Sequence, residues 1–395
     1  MKLAILFDNF GPYHMARLNA LANYCTLVGI EFHSKSAEYS WKTTERASFE
    51  HRTLLNAGHV PPGTLSEAVH AALTDVAPDV VFIPGWNHIG ALAALVWCRN
   101  MGRPAVIMSD SQERDTPRTW LKEHIKARVL RHASACFVAG RRHRDYAQTL
   151  GVPVEYIRTG YDVIDNDYFK CEAEVLRRSP SLSPLRAGYF LASARLIPRK
   201  NIGKLIEGYG RYREQTLQRK VEPKDLVILG DGPERANLEA QINDCGLSEV
   251  VHFKGFLQYP DLPRYYAYAT AFIHVPLSEQ WGLVVNEALA CGLPVIVSSA
   301  CGCAPDLVFD EQNGFVVQGE DTERMAECLI KIDQCSASEL DDMRDASFRS
   351  IERFSVQSFS DNAIAIASLA ISATRRRATW FDDLVLLFMY AMRKR

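Results

Sequence analysis

The segment Phe272–Val297, with the sequence FIHVPLSEQWGLVVNEALACGLPVIV, contains a complete strand–helix–strand unit. Phe272–Val275 and Val295–Val297 are short and mostly apolar runs, as in parallel strands that are covered on both faces. Leu283–Ala290, between them, has the pattern of a helix. A strand, a helix and a second strand in this order predict a βαβ unit, and therefore a doubly wound α/β protein.

The same alternation of short apolar runs and helical patterns continues in both directions from this segment. In the C-terminal half, the other predicted strands are Tyr189–Ala192, Leu226–Leu229, Val250–Phe253 and Gly314–Val317, and the other predicted helices are Lys200–Gln215, Glu234–Cys245 and Thr322–Ile332. In the N-terminal half, the predicted strands are Leu3–Phe7, Val80–Pro84, Ala105–Met108, Ala135–Val138 and Val154–Ile157, and the predicted helices are Tyr13–Tyr24, Ser66–Val76, Ile89–Asn100, Arg118–His132 and Arg142–Leu150. Two Rossmann-like halves predict a cleft between them, where ligands usually bind.

A change of composition separates the two halves. Residues 171–186, with the sequence CEAEVLRRSPSLSPLR, are rich in Ser, Pro and charge, and they predict a linker. We therefore expect a first domain over 1–170, a second domain over 187–354, and C-terminal helices over 355–395 that could cross back to the first domain. A chain of 395 residues is long enough for two cores.

The composition excludes several classes of protein. A net charge of −2 with 47% hydrophobic residues is typical of a soluble globular protein and gives no general case for nucleic-acid binding. The ten cysteines contain no CxxC pair, so reduced structural thiols are favoured over a metal site. The N-terminal run MKLAILFD is too short for a secretory signal and predicts a buried strand. No segment reaches the roughly 18–20 consecutive apolar residues that span a bilayer.

Two carboxylates in the segment Phe272–Val297 are candidates for binding a sugar. Glu279 follows a predicted strand at the C-terminal edge of the sheet, and Glu287 lies inside the next helix. Carboxylates accept hydrogen bonds from sugar hydroxyls, and the free N–H groups of Gln280, Trp281 and Gly282 would face a diphosphate. Alternatively, Glu279 only starts a helix near its dipole, and Glu287 belongs to a solvated helix face.

Other short motifs follow three more of the predicted strands. Arg195 and Lys200 could bind a diphosphate, although two solvated loop cations would have the same pattern. The turn Gly230-Asp231-Gly232-Pro233 allows a close approach of the backbone, and Gly255-Phe256 could support a nucleobase. Each of these motifs is a weak signal by itself.

Taken together and in this order, the motifs resemble those of the GT-B fold retaining glycosyltransferases of family 4, the group 1 transferases. The match covers Arg195 and Lys200, Gly230 to Pro233, Gly255-Phe256, Glu279 and Glu287 with seven residues between them, Glu287 to Ile296 with the sequence EALACGLPVI, and Asn313-Gly314. The resemblance extends over the C-terminal half and, more loosely, over the N-terminal half. It implies two Rossmann-like domains that face a central cleft, the first binding the acceptor and the second the nucleotide sugar.

The resemblance also implies roles for the matched residues. Arg195 and Lys200 would hold the diphosphate and stabilise the leaving nucleotide, whereas Glu279 would bind the hydroxyls of the donor sugar and Glu287 those of the ribose. The expected catalytic residues are Glu279, Arg195, Lys200 and Asp110. The expected donor-binding residues are Gly11, Gly230, Gly232, Gly255, Phe256, Gln280, Trp281, Gly282, Leu283 and Glu287. Family members bind the diphosphate without a divalent metal, so neither a metal site nor a cofactor is expected besides the nucleotide sugar.

The first half departs from the family pattern at one position. Family members commonly carry a His after the strand that corresponds to Ala105–Met108, and Asp110 takes that position here. An Asp could orient an acceptor hydroxyl or support positive charge on the sugar carbon, but it could also simply cap the next turn. Of the Gly pair that the family often has after the first strand, only Gly11 is present.

Candidate acceptor-binding residues lie in the loops and helix starts of the first half, where plain packing or solvated helix faces are the alternatives. They are His14, Arg17, Trp86, His88, Arg118 and Lys122. From Arg114 to Arg144 there are nine Lys/Arg against two Asp/Glu, and Arg118, Lys122 and Lys126 would share one helix face. Such a face predicts an anionic acceptor, such as a lipid-linked pyrophosphate, or an anionic membrane surface.

The C-terminus has the pattern of a short amphipathic anchor. The apolar stretch Trp380–Met392 lies between two groups of cations, Arg375–Arg377 and Arg393–Arg395. The alternative is that part of this stretch belongs to the core of the first domain.

The sequence therefore predicts a retaining, metal-independent glycosyltransferase that moves a sugar from a nucleotide-diphosphate sugar to a glycan or lipid-linked glycan acceptor. We expect it in the cytoplasm, in peripheral contact with the inner face of the cell membrane, in bacterial surface polysaccharide or glycolipid synthesis. The alternatives are a nucleotide-sugar epimerase or phosphorylase of the same fold, and a non-catalytic protein that binds sugar nucleotides. Nucleic acid is not an expected partner.

Overall fold

The protein is described by a computed structural model over residues 1–34, 41, 46–56, 61–185, 188–372 and 378–394. The chain divides into two compact units, one formed by Met1–Ile164 with Phe354–Arg395 and the other by Asp165–Arg353. Each unit is built on one parallel sheet with helices, as the alternation of apolar runs and helical patterns predicts. The predicted α/β class is therefore confirmed for both halves.

The sheet of the first unit has seven strands in the order β3-β2-β1-β4-β5-β6-β7. The strands are β1 Lys2–Phe7, β2 Thr26–His33, β3 Glu50–Leu55, β4 Val80–Pro84, β5 Ala105–Ser109, β6 Ala135–Val138 and β7 Ile157–Thr159. The helices of this unit are α1 Pro12–Leu21, α2 Pro62–Val76, α3 Ile89–Met101, α4 Trp120–Leu130, α5 Arg141–Thr149, α14 Val356–Ser372 and α15 Trp380–Lys394. The strand order reverses between β1 and β4, so the loops after these strands flank the position where such sheets bind ligands.

The sheet of the second unit has six strands in the order β10-β9-β8-β11-β12-β13. The strands are β8 Tyr189–Ser193, β9 Leu226–Leu229, β10 Val251–Gly255, β11 Ala269–His274, β12 Val295–Ser298 and β13 Gly314–Val317. The helices are α6 Asn166–Arg177, α7 Ile202–Gln218, α8 Arg235–Asp244, α9 Leu262–Tyr268, α10 Leu283–Ala290, α11 Ala304–Leu307, α12 Thr322–Asp333 and α13 Ala337–Ile351. Here the order reverses between β8 and β11, and the loops after these two strands carry Arg195, Lys200 and Glu279.

Three strands of the first unit differ from the prediction. The apolar-run criterion misses β2, which contains a Gly and a Glu, and β3, which has a polar sequence and lies at the sheet edge next to β2. The predicted strand Val154–Ile157 is wrong in its bounds, because Val154–Tyr156 forms a 3-10 helix after Pro153 and β7 begins at Ile157. Pro153 fixes its own φ near −65°, which suits a helical start.

The predicted linker over 171–186 is wrong in its first part, because α6 extends to Arg177. Oδ1 of Asp165 caps this helix by accepting a hydrogen bond from the backbone N–H of Tyr168 at 3.0 Å. Phe169 and Ala173 are completely buried on its inner face, so the charged residues that suggested a linker occupy the outer face. Arg186, at the end of the predicted linker, lies outside the described residues.

The two C-terminal helices α14 and α15 belong to the first unit. Leu386 of α15 has no exposed surface and packs into the core of that unit. The predicted cations Arg375–Arg377 before α15, and Arg395 after it, lie outside the described residues. Among the residues that the structure describes, no helix combines the length and the apolar character needed to cross a membrane.

Candidate active site

Two side chains converge on the carboxylate of Glu279 at the strand-order reversal of the second unit. Oε2 of Glu279 forms an ion pair with Nζ of Lys200, and Nε2 of His274 lies 3.0 Å from the same oxygen. All three residues are buried, with at most 9% of their surface exposed. Burial alone would raise the pKa of Glu279, but the hydrogen bond from His274 and the charge of Lys200 lower it to about 2. Glu279 is therefore a carboxylate that is oriented by two donors.

The ring of His274 acts as a neutral donor in this cluster. Burial lowers the pKa of His274, and the carboxylate of Glu279 opposes that effect only in part. A carboxylate accepts hydrogen bonds, so Nε2 of His274 donates to Glu279. His274 ends β11 inside a mostly apolar run, a pattern that predicts a strand residue and gives no sign of a site residue. Its spacing of five residues from Glu279 gives no signal without the structure.

Gly282 lets the chain turn from the Glu279 loop into α10. Its φ is +105°, in the region that favours glycine, and it is the residue before the helix. The backbone N–H of Gly302 donates to the carbonyl of Glu279 at 3.0 Å, and the N–H of Cys303 donates to the carbonyl of Trp281 at 3.2 Å. The loop that carries Glu279 is thus fixed by backbone hydrogen bonds as well as by its side-chain partners.

The loop that carries Lys200 is fixed to the end of β11 by Asn201. This residue adopts φ +60°, and its Nδ2 donates to the carbonyls of Val275 at 3.0 Å and Gly319 at 2.6 Å. The backbone N–H of Leu277 also donates to the carbonyl of Arg199 at 2.9 Å. These bonds hold Lys200 and Glu279 at one edge of the sheet and explain why the ion pair forms.

The glycines of the Gly230-Asp231-Gly232-Pro233 turn are required by a backbone that lies against them. A Cβ on Gly230 would lie 1.9 Å from the carbonyl oxygen of Ala194, and one on Gly232 would lie 2.4 Å from that of Leu196. Backbone N–H groups of Leu196 and Glu234 complete the contact, donating to Asp231 and Leu196 respectively. The segment Ala194–Leu196, which includes Arg195, is therefore held between β8 and this turn.

Glu287, a predicted donor-binding residue, is buried, and so is the side chain of Trp281, whose backbone is predicted to lie beside the donor. Glu287 has no exposed surface, and the hydroxyl of Tyr266 donates to its Oε2 at 2.7 Å. The side chain of Trp281 is 2% exposed, and its Nε1 donates to Oδ1 of Asn286 at 3.0 Å. An unpaired carboxylate or indole N–H would be costly to bury, and these partners remove that cost.

The remaining predicted donor-binding residues of the second unit are more open. Gly255 adopts φ +73°, and its carbonyl accepts a hydrogen bond from the N–H of Gly230 at 2.8 Å. Phe256, the next residue, exposes 39% of its surface, as expected for a ring that could support a nucleobase. Gln280 and Leu283 are partly exposed on either side of the turn at Gly282.

A separate cavity of about 400 Å³ opens between the starts of α7 and α8. Its polar lining residues are Asn201, Lys204, Glu207, Glu234, Asn237 and Gln241. Arg195, Lys200 and Glu279 do not line this cavity, so it neighbours the carboxylate cluster without containing it. Within the described ranges, no three His, Cys, Asp or Glu side chains are grouped so that they could bind a metal ion.

In the first unit, Gly11 and His14 form the start of α1. The backbone N–H of Gly11 donates to Nδ1 of His14 at 3.1 Å, and the ring of His14 lies 4.3 Å from that of Phe7. Burial, assisted by the charge of Arg17, lowers the pKa of His14 to about 3 and keeps the ring neutral. A Cβ on Gly11 would meet only ordinary contacts, so sterics do not require glycine there.

Arg17, a predicted acceptor-binding residue, is buried in this structure. Its surface is only 2% exposed, its Nε donates to the carbonyl of Val163 at 2.9 Å, and its Nη2 pairs with Asp162 at 3.3 Å. The guanidinium also lies 5.3 Å from the ring centre of Tyr161. Arg17 thus joins α1 to the segment after β7, which is a structural role.

Two of the three cations of the predicted face of α4, Arg118 and Lys126, have partners within the first unit. Arg118 lies before the helix, where its Nε donates to the carbonyl of Glu113 at 2.7 Å and its guanidinium lies 4.5 Å from the ring of Tyr146. Nζ of Lys126 lies 2.9 Å from Glu123. Lys122 is exposed.

Two acidic residues at the start of α15 neutralise further cations around α4. Asp382 is completely buried, with Nη1 of Arg128 at 3.0 Å and Nη1 of Arg131 at 3.5 Å from its carboxylate. Asp383 pairs with Nε of Arg99 at 2.5 Å. Within the cation-rich stretch from Arg114 to Arg144, Arg128 and Arg131 therefore help to dock α15.

The other predicted residues of the first unit lie at the C-terminal edge of its sheet. Asp110 is partly exposed directly after β5, and its charge contributes, after burial, to a raised pKa of Tyr161. Trp86 packs against the core, whereas His88 is exposed at the start of α3. The structure adds two residues at this edge that the sequence analysis did not select, Asp8 after β1 and His33 at the end of β2, whose Oδ1 and Nδ1 lie 3.1 Å apart.

Comparisons with known sequences find similarity to glycosyltransferases. Residues 177–348 match the family model described as glycosyl transferases group 1. The chain is 29% identical over 213 residues to the GDP-mannose-dependent alpha-(1-6)-phosphatidylinositol monomannoside mannosyltransferase of Mycobacterium tuberculosis, covering 50% of this chain and 51% of that protein. It is also 29% identical over 190 residues to O-antigen chain mannosyltransferase B of Escherichia coli, covering 46% of this chain and 45% of that one. The chain thus spans about half the length of the curated relatives it matches.

The solved structures extend the likeness to almost the whole chain. The structure of Anabaena Alr3699/HepE in complex with UDP and glucose has a TM-score of 0.73 at 19% sequence identity, covering 93% of this chain and 99% of that one. A structure of trehalose-6-phosphate from E. coli bound with UDP-2-fluoro glucose has a TM-score of 0.70 at 11% identity, covering 94% and 99%. At these identities the likeness shows the fold, which is the predicted GT-B fold.

Proposed function

We propose that the protein is a retaining, metal-independent glycosyltransferase, because residues 177–348 match the family model of the glycosyl transferases group 1. It takes a sugar from a nucleotide-diphosphate sugar and moves it to a glycan or a lipid-linked glycan. The observation that carries this proposal is the cluster of Lys200, Glu279 and His274 at the strand-order reversal of the second unit. A carboxylate for sugar hydroxyls and a cation for phosphate oxygens occupy the loops where such sheets bind ligands.

The cluster suggests how donor binding changes the pairing of Lys200. Before the donor arrives, the cation of Lys200 is paired with Glu279, and both groups are buried. The diphosphate would take Lys200 as its partner, and a hydroxyl of the donor sugar would take its place on Glu279. His274 would keep its hydrogen bond to the carboxylate, so the buried charge would not be left without a donor.

The transfer step follows from these roles. The bond between the anomeric carbon and the diphosphate oxygen breaks, and the nucleoside diphosphate leaves with the electron pair. The acceptor oxygen forms the new bond on the same face, and its proton passes to an oxygen of the departing phosphate. Lys200, with Arg195, stabilises the charge that develops on the leaving group. The protein supplies positioning and electrostatic stabilisation and does not need a strong base for this route.

Relatives suggest the substrate classes. The M. tuberculosis relative is named for GDP-mannose and a phosphatidylinositol monomannoside, and the E. coli relative for mannosyl transfer in the O-antigen chain. The HepE structure holds UDP and glucose, so these proteins do not together indicate whether the nucleobase is guanine or uracil. We therefore place the protein in bacterial surface polysaccharide or glycolipid synthesis and propose a hexosyl donor.

The test measures turnover of GDP-mannose, UDP-glucose and dTDP-glucose, with and without added bacterial lipid extract. Lys200→Ala and Glu279→Gln should each lower turnover of the accepted donor by about 100-fold or more, as is usual when a charged transition-state contact is lost. Lys204→Ala is the matched control, because this exposed lysine on α7 pairs only at the surface with Glu207. Variants that fold correctly and keep wild-type turnover would refute the proposed site. Turnover that depends on added divalent metal after EDTA treatment would refute metal independence.

We also propose peripheral contact with the inner face of the membrane, through the outer face of α15. This face consists of Trp380, Leu384, Leu387, Phe388 and Met392, all of which are exposed, Trp380 at 77% and Phe388 at 61%. The acidic residues Asp382 and Asp383 are paired within the first unit, whereas Arg393 and Lys394 end the helix. An apolar face that ends in cations fits an anionic bilayer.

Vesicle sedimentation tests this contact. Full-length protein should sediment with vesicles of 70:30 phosphatidylcholine and phosphatidylglycerol, and the double variant Leu384→Ser/Phe388→Ser should lose about 10-fold or more of that binding. Leu217→Ser, at a similarly exposed leucine of α7, is the control and should bind like the wild type. Equal binding of all three proteins would exclude the outer face of α15 as the contact.

A further inference from the structure

Three polar side chains meet where the strand order of the first unit reverses. Asp8 follows β1, His33 ends β2, and His88 follows β4. Oδ1 of Asp8 lies 3.1 Å from Nδ1 of His33, and the ring centres of His33 and His88 are 6.2 Å apart with their planes at 80°. Asp8 and His33 remain accessible, with 59% and 26% of their side-chain surfaces exposed. These residues are too far apart in the sequence for any motif to connect them.

The partners of the two rings assign them opposite hydrogen-bonding roles. Because a carboxylate accepts, Nδ1 of His33 donates to Asp8, which leaves Nε2 of a neutral His33 ring as an acceptor. Nδ1 of His88 instead accepts from the backbone N–H of Gly90 at 3.2 Å, so Nε2 of a neutral ring carries the proton and donates. Partial desolvation of the ring, which is stacked 5.2 Å from the centre of the Phe32 ring, lowers the pKa of His88 and favours that neutral form.

An acceptor nitrogen beside a donor nitrogen is complementary to hydroxyl groups. One hydroxyl can donate to His33 while its neighbour accepts from His88, as adjacent hydroxyls on a sugar or cyclitol ring would do.

The last turn of α15 adds a cation to this edge. Nη2 of Arg393 donates to Oδ1 of Asn87, in the loop before His88, at 3.4 Å, and Arg393 is exposed. α15 is held there by buried Leu386 and by the hydrogen bond between the hydroxyls of Tyr390 and Ser66. A guanidinium beside two hydroxyl-binding rings favours a ligand that bears a phosphate next to its hydroxyls.

We propose that Asp8, His33, His88 and Arg393 form the acceptor-binding site of this protein and that its ligand is a polyol or sugar ring bearing a phosphate. The proposal rests on the proposed glycosyltransferase function and names the class of its second substrate. His33 and His88 bind adjacent ring hydroxyls, Asp8 orients His33, and Arg393 binds the phosphate. The same chemistry occurs in a free polyol phosphate and in a phospholipid headgroup.

Two probes distinguish these sources. The first is soluble myo-inositol 1-phosphate, titrated into full-length protein with isotope-labelled histidine while the ring signals are followed by NMR. We expect shifts at His33 and His88, and a dissociation constant that rises about 10-fold in His33→Ala and in Arg393→Ala, as for the loss of one charge-assisted or ring hydrogen bond. The second is sedimentation with vesicles of phosphatidylcholine that contain either phosphatidylinositol or phosphatidylserine, which carry the same headgroup charge. A preference for phosphatidylinositol that is lost in His33→Ala identifies the lipid headgroup as the source.

His252→Ala is the matched control. His252 pairs with Asp225 in the second unit at 3.0 Å and is about as exposed as His33, so its loss tests for a general effect of removing a surface His–Asp pair. It should leave both forms of binding unchanged, and thermal unfolding midpoints of all variants should confirm that they fold. Either soluble or lipid binding that depends on His33 supports the proposal. The proposal is wrong if neither the binding of myo-inositol 1-phosphate nor the preference for phosphatidylinositol vesicles depends on His33.

The acceptor-site proposal and the proposed glycosyltransferase function can fail independently in these experiments. Donor turnover depends on Lys200 and Glu279 in the second unit, whereas polyol-phosphate binding depends on residues of the first unit. Lys200→Ala should therefore abolish turnover and keep the binding of myo-inositol 1-phosphate. If the wild type binds the polyol phosphate but turns over no nucleotide sugar, the glycosyltransferase proposal fails while the binding site stands.

Discussion

Nε2 of His274 lies 3.0 Å from Oε2 of Glu279, and both side chains are almost completely buried. The same carboxylate oxygen is the partner of Lys200. If a diphosphate draws Lys200 away, His274 is the donor that continues to orient the carboxylate toward a sugar hydroxyl. The hydrogen bond between His274 and Glu279 therefore gives His274 a positioning role. Experiments can distinguish this role from that of residues that touch the substrate.

Replacing His274 should affect turnover more than nucleotide binding. We expect His274→Ala to lower kcat for the accepted donor by about 10- to 100-fold, because a small displacement of a substrate-positioning group has effects of that size. Affinity for the free nucleoside diphosphate, measured by calorimetry, should stay within about twofold of wild type, since Lys200 and Arg195, not His274, are the proposed contacts of the diphosphate. His274→Gln, which keeps an N–H donor, should recover part of kcat. Loss of nucleotide affinity equal to the loss of kcat would show that His274 only supports the fold.

The lowered pKa of Glu279 makes part of the stability of the second unit dependent on pH. The pKa falls from 4.5 to about 2 on folding, so the stabilisation is complete above pH about 4.5 and is lost as the pH falls toward about 2. We expect the difference in unfolding free energy between wild type and Glu279→Gln to be constant from pH about 7 to about 5 and to shrink below pH about 4.5. Urea unfolding at a series of pH values measures it. A difference that does not change with pH would contradict the ion pair.

Most elements of both sheets could be predicted because their strands are buried on both faces. Runs such as Leu226–Leu229 and Val295–Val297 contain only apolar residues, and the structure places strands there. β3 could not be predicted in this way, since an edge strand with the sequence EHRTLL does not need to be apolar. α6 was obscured because its outer face is charged and only Phe169 and Ala173 are completely buried.

In the candidate site too, residues in short sequence motifs could be predicted, whereas residues whose role depends on contacts made in the folded chain could not. Lys200 and Glu279 could be predicted because each belongs to a short motif that follows a strand. His274 could not, because its role comes from a contact across the loop. Glu287 and Trp281 were selected by motif, but their partners Tyr266 and Asn286, which keep them buried, are decided by packing.

Gly230 should be far more sensitive to substitution than another glycine with positive φ. Gly230→Ala places a Cβ 1.9 Å from the carbonyl oxygen of Ala194, in addition to the strain of φ +119°, so we expect a loss of about 3 kcal/mol or more. Gly246→Ala shares the positive φ of +67° but meets no described atom within 4 Å, and it should cost about 1 kcal/mol. Chemical denaturation of both variants measures the difference. Equal costs would mean that strain alone, and not the approach of the Arg195 segment, requires glycine.

Replacing Arg17, a predicted acceptor-binding residue, should affect the stability of the first unit and not the binding of an acceptor. Its guanidinium is 2% exposed and bonds both Val163 and Asp162, so Arg17→Ala leaves a buried carboxylate without its cation. We expect a loss of about 3 kcal/mol in unfolding free energy, against no more than about 1 kcal/mol for Arg52→Ala, whose pairs with Glu50 and Asp75 lie at the surface. Arg17→Lys should recover little, because a single ammonium cannot reproduce the two directed contacts. Below its unfolding temperature, Arg17→Ala should bind myo-inositol 1-phosphate like the wild type, since its side chain does not reach the His33–His88 edge. Weakened binding in a folded Arg17→Ala protein would instead assign it to the acceptor site.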